Sequence, residues 1–379
     1  MGGRRVGSTT RRLTLVPAAE LTQQAVRAAL DGAVPLAVLP DGPPAVVAAA
    51  RTALRPEEPL EPGADLVVVT SGSTGNGRAV LLSAAALRAS AAATHARLGG
   101  PGSWLLALPV SAIAGLQVLC RSVLAGTRPV RLRPDEPLSA AVGRLQEGRR
   151  YTSLVPTQLR RYLDAEPDAL RSFDAVLVGG AAADPALLAR AQEDGVAVVT
   201  TYGMTETAGG CVYSGRPLDG VRVRVTDGVE LAGPTLALGY RLDPAATEAA
   251  FTDGWFRTRD AGTLDADGRL TVTGRLDDVV ITGGVNVAPA AVEAALREHP
   301  DVIDAVVFGR PDAEWGHRLV AAVVPAPGRT PELAALREWV AARLGRPAAP
   351  RRLRLLDAVP LLHTGKPDRR AVAALPPED

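Results

Sequence analysis

The sequence predicts an α/β protein: a large unit of sheet covered by helices with a small antiparallel β region, then a compact α+β unit. Three observations carry this prediction. Between Leu66 and Thr201 short apolar runs alternate with helical patterns; from Val221 to Val272 the runs shorten and Asp-Gly pairs recur; after Gly274 two helical patterns flank two strand patterns. The first texture argues for a largely parallel sheet, the second for antiparallel hairpins, and the third for a separate small domain.

In order along the chain, residues 1–64 hold one helix-like segment (Gln23–Leu30), an apolar run (Val34–Leu39) and a Pro-rich stretch from Arg55 to Gly63. Strand Leu66–Thr70, helix Ser83–Arg97, strand Trp104–Leu108 and helix Ile113–Leu124 follow. The alternation continues through Thr152–Val155, Ala175–Val178, helix Pro185–Gln192 and Val196–Thr201. Turns at Asp227-Gly228, Asp253-Gly254 and Asp267-Gly268 punctuate the antiparallel region. The last unit reads as helix Pro289–Glu298, strands Val302–Phe308 and Arg318–Val324, and helix Glu332–Leu344. No internal repeat is present.

Composition narrows the function. A chain of 379 residues accommodates two or three domains, and 47% hydrophobic against 22% charged residues suits a globular protein with a real core. Lys plus Arg is 42 against 41 Asp plus Glu, a net charge of +1, which leaves no electrostatic footprint for nucleic acid or an anionic membrane. Aromatic residues at 3% disfavour a lectin-like surface or a base-stacking platform. Cys120 and Cys211 are too few for a disulfide framework or a cysteine zinc site, so a cytoplasmic setting is expected. His95, His299 and His317 have no metal-ligand spacing. Thr10-Arg11-Arg12-Leu13 faintly resembles an export signal, but Pro17 and Glu20 break the apolar run behind it. The uncharged stretch Leu98–Cys120 is interrupted by Pro101, Pro109, glycines and Gln117, so it reads as a buried strand and helix, and a soluble protein is expected.

One compositional fact is sharper. Lys366 is the only lysine, so the other 41 basic residues are arginine. Either it survived by chance, or a compact point charge is needed there that the broad planar fork of arginine cannot supply.

Four segments carry chemistry. Thr70-Ser71-Gly72-Ser73-Thr74-Gly75-Asn76-Gly77-Arg78 follows an apolar strand and is read as preceding a helix. Its glycines let backbone N–H groups close on phosphate oxygens and its hydroxyls add donors, or it is an ordinary flexible turn. It is a near miss to a Walker A loop, with Arg78 where that loop needs Lys and Ala79 where it needs Ser or Thr, which disfavours a P-loop nucleotidase. Tyr202-Gly203-Met204-Thr205-Glu206-Thr207 offers an aromatic face for a purine, a carboxylate for Mg²⁺ and a hydroxyl for phosphate; alone it reads equally as a loop. Phe256–Asp260 and Gly274–Asp278 hold carboxylates suited to vicinal ribose hydroxyls, or are solvated turns. His363-Thr364-Gly365-Lys366-Pro367 contains the lone lysine.

The order of these motifs, from Thr70–Arg78 through Tyr202–Thr207, Asp260 and Gly274–Asp278 to Lys366, resembles the adenylate-forming superfamily of acyl-CoA synthetases, luciferases and nonribosomal adenylation domains over residues 65–370. The resemblance implies the adenylate-forming fold: an N-terminal adenylation domain (residues 1–274, its first subdomain shortened) and a mobile C-terminal lid (residues 275–379), with the hinge at Asp277. It implies ATP, Mg²⁺ and CoA as the small molecules used with a carboxylate substrate. No nucleic acid or membrane partner is expected, and a homodimer is left open. Ser71, Gly72, Ser73, Thr74, Gly75 and Arg78 would enclose the ATP phosphates. Gly179, Gly180 and Ala181 would line the adenine and acyl pockets. Tyr202 would stack on adenine beside Gly203, Thr205 would touch the α-phosphate, and Glu206 with Thr74 would hold Mg²⁺. Asp260 and Arg275 would bind the ribose, Lys366 would be the catalytic lysine of the first half-reaction, and Gly283, Gly284 and Asn286 would line the pantetheine tunnel of the second.

Within the superfamily, Leu108–Val130, Thr152–Tyr162 and Val178–Ala183 look most like the o-succinylbenzoate–CoA ligases of menaquinone biosynthesis in their compact actinobacterial form, with Ala112, Thr157, Gly180 and Gly203 as implied acyl-pocket residues. Two departures stand out. Arg78 replaces the usual lysine of the phosphate loop. Ala112, with Ser111 before it, stands where the family usually has histidine, so the acyl group is what falls into question, and a different aryl or acyl acid or a non-CoA acceptor is the alternative. No arginine is assigned to a second substrate carboxylate; Arg160 and Arg121 are the nearest candidates. A non-catalytic nucleotide-binding protein is the third reading, disfavoured by Lys366, Glu206 and Asp260 occurring together.

Overall fold

The computed structural model describes residues 11–70, 77–276, 278–361 and 367–375. It is a mixed α/β chain. One five-stranded sheet runs in the order Thr14–Pro17, Leu36–Leu39, Leu66–Thr70, Arg78–Leu82, Gly239–Tyr240, its first three strands parallel and the others antiparallel. A seven-stranded sheet runs Arg216–Pro217, Gly209–Tyr213, Val198–Met204, Ala175–Val178, Arg150–Leu154, Ser103–Leu106, Val130–Arg131. Its last five strands are mutually parallel, as the strand–helix alternation predicts, and only the Gly209–Tyr213 and Arg216–Pro217 edge is antiparallel.

Helices Ala84–Arg97 and Ile113–Ala125 cover one face of that sheet, where Trp104, Tyr151, Leu87, Leu116 and Leu119 are almost wholly buried. Helices Pro156–Ala165 and Pro185–Glu193 cover the other, over Leu154, Val176 and Val178. The antiparallel region forms a four-stranded sheet (Arg222–Val225, Val229–Ala232, Trp255–Arg257, Phe251–Thr252) and a pair, Asp260–Leu264 with Leu270–Arg275. All three Asp-Gly pairs lie between antiparallel strands; at Asp253-Gly254 both residues have positive φ (53° and 76°), the geometry a two-residue hairpin demands. The C-terminal unit packs helices Pro289–Arg297 and Leu333–Leu344 on a sheet of Val285–Val287, Val280–Thr282, Gly316–Pro325, Val302–Asp312 and Arg352–Leu355, around its own core of Val292, Leu296, Val307, Leu319 and Val340. No helix among the described residues is long and apolar enough to cross a membrane.

Several elements differ from the sequence reading. Residues 11–64 hold a second α-helix, Pro44–Leu54, where a single helical segment was expected. Pro44 occupies the first helical turn, where a missing N–H costs nothing, so the Pro-Pro pair starts the helix. A strand, Arg78–Leu82, stands between the Ser/Gly-rich segment and helix Ala84–Arg97, antiparallel to Leu66–Thr70 with Thr70 opposite Arg78. Its run Ala79-Val80-Leu81-Leu82 is buried on both faces and too short for a helix. The helix start is therefore not the anion site: Ser83 caps it at Ala86 N–H and the Asp65 carboxylate accepts from Ala84 N–H at 2.8 Å. Finally, Tyr202, Gly203 and Met204 complete a strand rather than opening a loop.

The Pro-rich stretch is fastened by Arg241, whose side chain is fully buried. Its guanidinium donates to the carbonyls of Leu54, Arg55 (2.7 Å), Glu58 (2.9 Å) and Pro59 (3.2 Å) and pairs with Glu61 at 2.7 Å. One fork here satisfies a whole turn of irregular backbone. We expect Arg241→Ala to lower the unfolding free energy by about 3 kcal/mol or more, because four carbonyls and a carboxylate lose their donor. Denaturant titration would measure it, and a loss below about 1 kcal/mol would reject this role.

Candidate active site

The carboxyl ends of the parallel strands gather seven of the residues singled out in the sequence. Ala112 caps helix Ile113–Ala125 after strand Ser103–Leu106, with no side-chain cap bond. Thr157 lies in the first turn of helix Pro156–Ala165, after Arg150–Leu154. Gly179, Gly180 and Ala181 follow Ala175–Val178, and Tyr202 and Gly203 end Val198–Met204. This edge of an open α/β sheet is where such folds place ligands, because helix starts and loops converge there.

Glycine is required at two of these positions. A Cβ on Gly203 would collide with the carbonyl oxygen of Gly209, and one on Gly179 with the Thr201 hydroxyl, so both allow backbone to approach backbone closely. The 3₁₀ turn Thr205–Thr207 is held from several sides. Thr207 Oγ1 accepts from Met204 N–H at 3.0 Å and donates to Gly209 O at 2.8 Å. Glu206 O accepts from Ala237 N–H at 2.8 Å, and Ala208 O from Ser90 Oγ at 3.1 Å and Gln117 Nε2 at 2.7 Å. The Glu206 side chain thus projects from a fixed backbone.

Two clusters form around it. Tyr202 Oη donates to Asp260 Oδ2 at 2.7 Å; Asp260 is buried, its N–H donating to Thr258 Oγ1 at 3.1 Å, and the Arg275 guanidinium lies 3.7 Å from Asp260 Oδ1. Asp260 and Arg275 are cross-strand partners, so they belong to strands and not to the solvated turns that were one reading of these segments. Burial, and then the Asp260 charge, push the Tyr202 phenol well above its ordinary range, so it stays a neutral donor. In the second cluster Tyr240 Oη donates to Glu206 Oε1 at 3.0 Å, and the Arg78 guanidinium carbon sits 5.1 Å from the centre of the Tyr240 ring.

Gly283 and Gly284 form the turn of the hairpin Val280–Thr282 and Val285–Val287, with φ of 57° and 77°. Gly283 packs on Trp315, its N–H donating to Trp315 O at 3.0 Å, beside a cavity of about 410 Å³ lined by Thr282, Trp315, Arg337, Arg346 and Arg351. Ser71, Gly72, Ser73, Thr74, Gly75, Asp277 and Lys366 lie outside the described residues. The described residues next to Lys366 are anchored. Pro367 pairs with Leu361, Asp368 N–H donates to Pro360 O at 2.7 Å, and the Arg369 guanidinium meets both oxygens of the buried Glu293 (2.6 and 2.7 Å).

Among the described residues no group of three or more His, Cys, Asp and Glu could hold a metal ion. A single carboxylate, Glu206, is nonetheless the donor set expected for Mg²⁺ that binds mostly through substrate phosphates and water. The residues present fit that cation.

The sequence reading passed over Tyr240 and could not choose between Arg160 and Arg121. Nothing in the sequence marks Tyr240, since its contact with Glu206 spans 34 residues. Arg160 pairs with Asp184 at 3.3 Å. Arg121 is 3% exposed, donates to Tyr213 Oη at 3.2 Å and lies 4.8 Å from the Trp104 ring centre, and no carboxylate among the described residues is within ion-pair distance. Arg121 Nε, Trp104 Nε1 and His95 Nε2 are all buried without a hydrogen-bond partner among the described residues. Burial, and then the Arg121 charge, push the His95 imidazole down to about 4. Arg121 and Gln117 are one turn apart on helix Ile113–Ala125, and the aliphatic part of Gln117 is 3.3 Å from where a Cβ of Gly209 would be.

Comparison with known proteins shows the family. The family model for AMP-binding enzymes matches residues 10–237, and that for the AMP-binding enzyme C-terminal domain matches residues 291–366. A probable 2-succinylbenzoate–CoA ligase of Mycobacterium tuberculosis is 50% identical over 332 residues, 84% of this chain and 86% of the relative. Among solved structures, o-succinylbenzoate CoA synthetase (MenE) from Bacillus subtilis in complex with the acyl-adenylate intermediate OSB-AMP superposes with a TM-score of 0.77 at 26% identity, covering 97% of this chain and 84% of that one. The amide bond synthetase McbA from Marinactinospora thermotolerans superposes with a TM-score of 0.74 at 28% identity, covering 96% and 79%.

Proposed function

The chain belongs to the AMP-binding enzyme family, and on that premise we propose that it is an AMP-forming acid–thiol ligase that converts 2-succinylbenzoate (o-succinylbenzoate) to its CoA thioester. The observation that carries the substrate is the 50% identity to a probable 2-succinylbenzoate–CoA ligase across 86% of that relative. In the first half-reaction a carboxylate oxygen attacks the α-phosphorus of ATP and pyrophosphate leaves with the bond's electron pair. In the second the CoA thiol attacks the acyl carbon, loses its proton, and AMP leaves.

The residues take these parts in our reading. Ser71–Gly75 and Arg78 hold the phosphates, Tyr202 stacks on adenine, and Asp260 with Arg275 binds the ribose. Tyr202 Oη, already bonded to Asp260, couples the purine platform to the ribose carboxylate. Thr205 and Lys366 stabilise charge at the α-phosphate, and Glu206 with Thr74 binds Mg²⁺, which supplies charge neutralisation on the phosphoryl oxygens. Such positioning and electrostatics are most of what phosphoryl chemistry asks of a protein. The acyl chain lies along Ala112, Thr157, Gly180 and Gly203, and its second carboxylate is received by Arg121. CoA enters along Gly283 and Gly284. The boundary of the two domains is residue 274, with Asp277 as hinge, and the enzyme is cytoplasmic.

The testing experiment is pyrophosphate release with ATP, Mg²⁺ and a panel of carboxylic acids, with and without CoA. Turnover on 2-succinylbenzoate that proceeds to thioester with CoA is expected. Turnover on a different acid, or with an amine in place of CoA, would overturn the substrate or acceptor; McbA, an amide bond synthetase, makes the second outcome chemically concrete. For the hinge, Asp277→Pro is expected to impair thioester formation more than adenylation, because only the second step requires the lid to turn. Equal losses in both half-reactions would remove Asp277 from that role.

A further inference from the structure

The proposed chemistry makes no use of Tyr240, yet this residue touches two groups assigned to ATP. It is 6% exposed, its hydroxyl donates to Glu206 Oε1 at 3.0 Å, and its ring lies under Arg78. The ring is itself fixed. It meets Phe251 edge-on at 6.0 Å, Tyr240 N–H donates to Thr247 Oγ1 at 2.9 Å, and the strand Gly239–Tyr240 pairs with Arg78–Leu82 so that Tyr240 stands opposite Val80.

We infer that Tyr240 is a positioning residue, its hydroxyl orienting the Glu206 carboxylate and its ring face holding Arg78, so that magnesium-bound ATP meets both already arranged. This rests on the reading of Glu206 as the magnesium-binding carboxylate. A glutamate on a short turn has three side-chain torsions to fix, and ordering it on binding would weaken affinity. A neutral phenol orients the carboxylate while leaving its charge intact, whereas a cation in that place would compete with Mg²⁺. The ring face suits the arginine that this chain carries at the end of its phosphate segment, since a planar guanidinium stacks on an aromatic face.

Tyr240→Phe keeps the ring, the Phe251 contact and the Arg78 stacking and removes the hydroxyl alone. The readouts are Mn²⁺ affinity of the enzyme–ATP complex by electron paramagnetic resonance, the Mg²⁺ concentration that half-saturates pyrophosphate release, and the thermal midpoint. Cation affinity is expected to fall roughly tenfold, the scale of one lost hydrogen bond to a charged group, with little change in thermal midpoint. Glu206→Gln should weaken it at least as much. Unchanged cation affinity in Tyr240→Phe beside a weakened Glu206→Gln would overturn the inference alone; unchanged affinity in both would overturn the reading of Glu206 as well. Tyr240→Leu, which also removes the ring, should further raise the KM for ATP, and a KM equal to that of Tyr240→Phe would overturn the ring's part.

Discussion

Lys366→Ala should lower pyrophosphate release by roughly 10²-fold or more, and Lys366→Arg should not restore it. The reasoning starts from the transition state, in which negative charge spreads over the oxygens of the α-phosphoryl group as carboxylate attacks and pyrophosphate departs. A preorganised cation aimed at that charge is worth about 3–4 kcal/mol in a water-poor site. Lysine offers a compact ammonium on a flexible stem; the guanidinium is broader, planar and sterically committed to a fork. A chain with 41 arginines and this single lysine carries the exception at the position where the two are least interchangeable. The described residues beside it are anchored: Pro367 pairs with Leu361, and Arg369 is bound to the buried Glu293. The checking measurement separates the half-reactions. Pyrophosphate release should collapse while CoA thioester formation from a synthetic acyl-adenylate persists. Near-normal pyrophosphate release from Lys366→Ala would remove the residue from the chemistry, and full activity of Lys366→Arg would reduce the lone lysine to an accident of composition.

Much of the fold was legible because its signals are local. Leu66–Thr70, Ala175–Val178 and Gln23–Leu30 carry their own periodicity and end on recognisable breakers, and the structure places all three at the expected bounds. The missed elements are those where two readings of the same residues compete. Helix Pro44–Leu54 shows its start only once Pro44 is seen in the first turn, and Ala79–Leu82, between the Ser/Gly-rich segment and the helix, shows itself a strand only through its pairing with Leu66–Thr70. Part of the site was legible for a different reason: the chemistry needs particular residue types, so Tyr202, Glu206 and Asp260 stand out in motifs. What the motifs could not disclose is contact. That Tyr202 bonds to Asp260, 58 residues away, and Tyr240 to Glu206, 34 residues away, depends on how separate sheets meet. Sequence likewise offered Arg160 and Arg121 on equal terms. Only the fold pairs the first with Asp184 and leaves the second buried with no carboxylate partner among the described residues.

That distinction leads to the other large effect expected. Arg121→Met should lower kcat/KM for 2-succinylbenzoate roughly 10²-fold, while a monocarboxylic analogue lacking the second carboxylate should lose little. A guanidinium desolvated inside a domain is costly, and a single hydroxyl at 3.2 Å with an indole face at 4.8 Å offsets only part of that cost. The partnerless Nε of Arg121 and Nε1 of Trp104 are donors, and both suit an incoming anion. On the proposed function the second carboxylate of the substrate would satisfy them, and an ion pair with a buried, hydrogen-bonded cation is worth about 2–5 kcal/mol when one partner is truncated. The same account fixes the sign of the stability change. Without substrate, methionine in place of Arg121 removes a buried charge that has no carboxylate partner among the described residues, so thermal stability should hold or rise, as when a functional site gives up its strain. A purely structural Arg121, held by Trp104 and Tyr213 for packing, predicts the reverse: a fall in stability with selectivity between the two acids unchanged. Measuring both quantities on one variant therefore decides between the two roles. Arg121→Lys sharpens the decision, since it keeps the charge and loses the fork, and should recover part of the discrimination between the two acids if the second carboxylate is what the site reads.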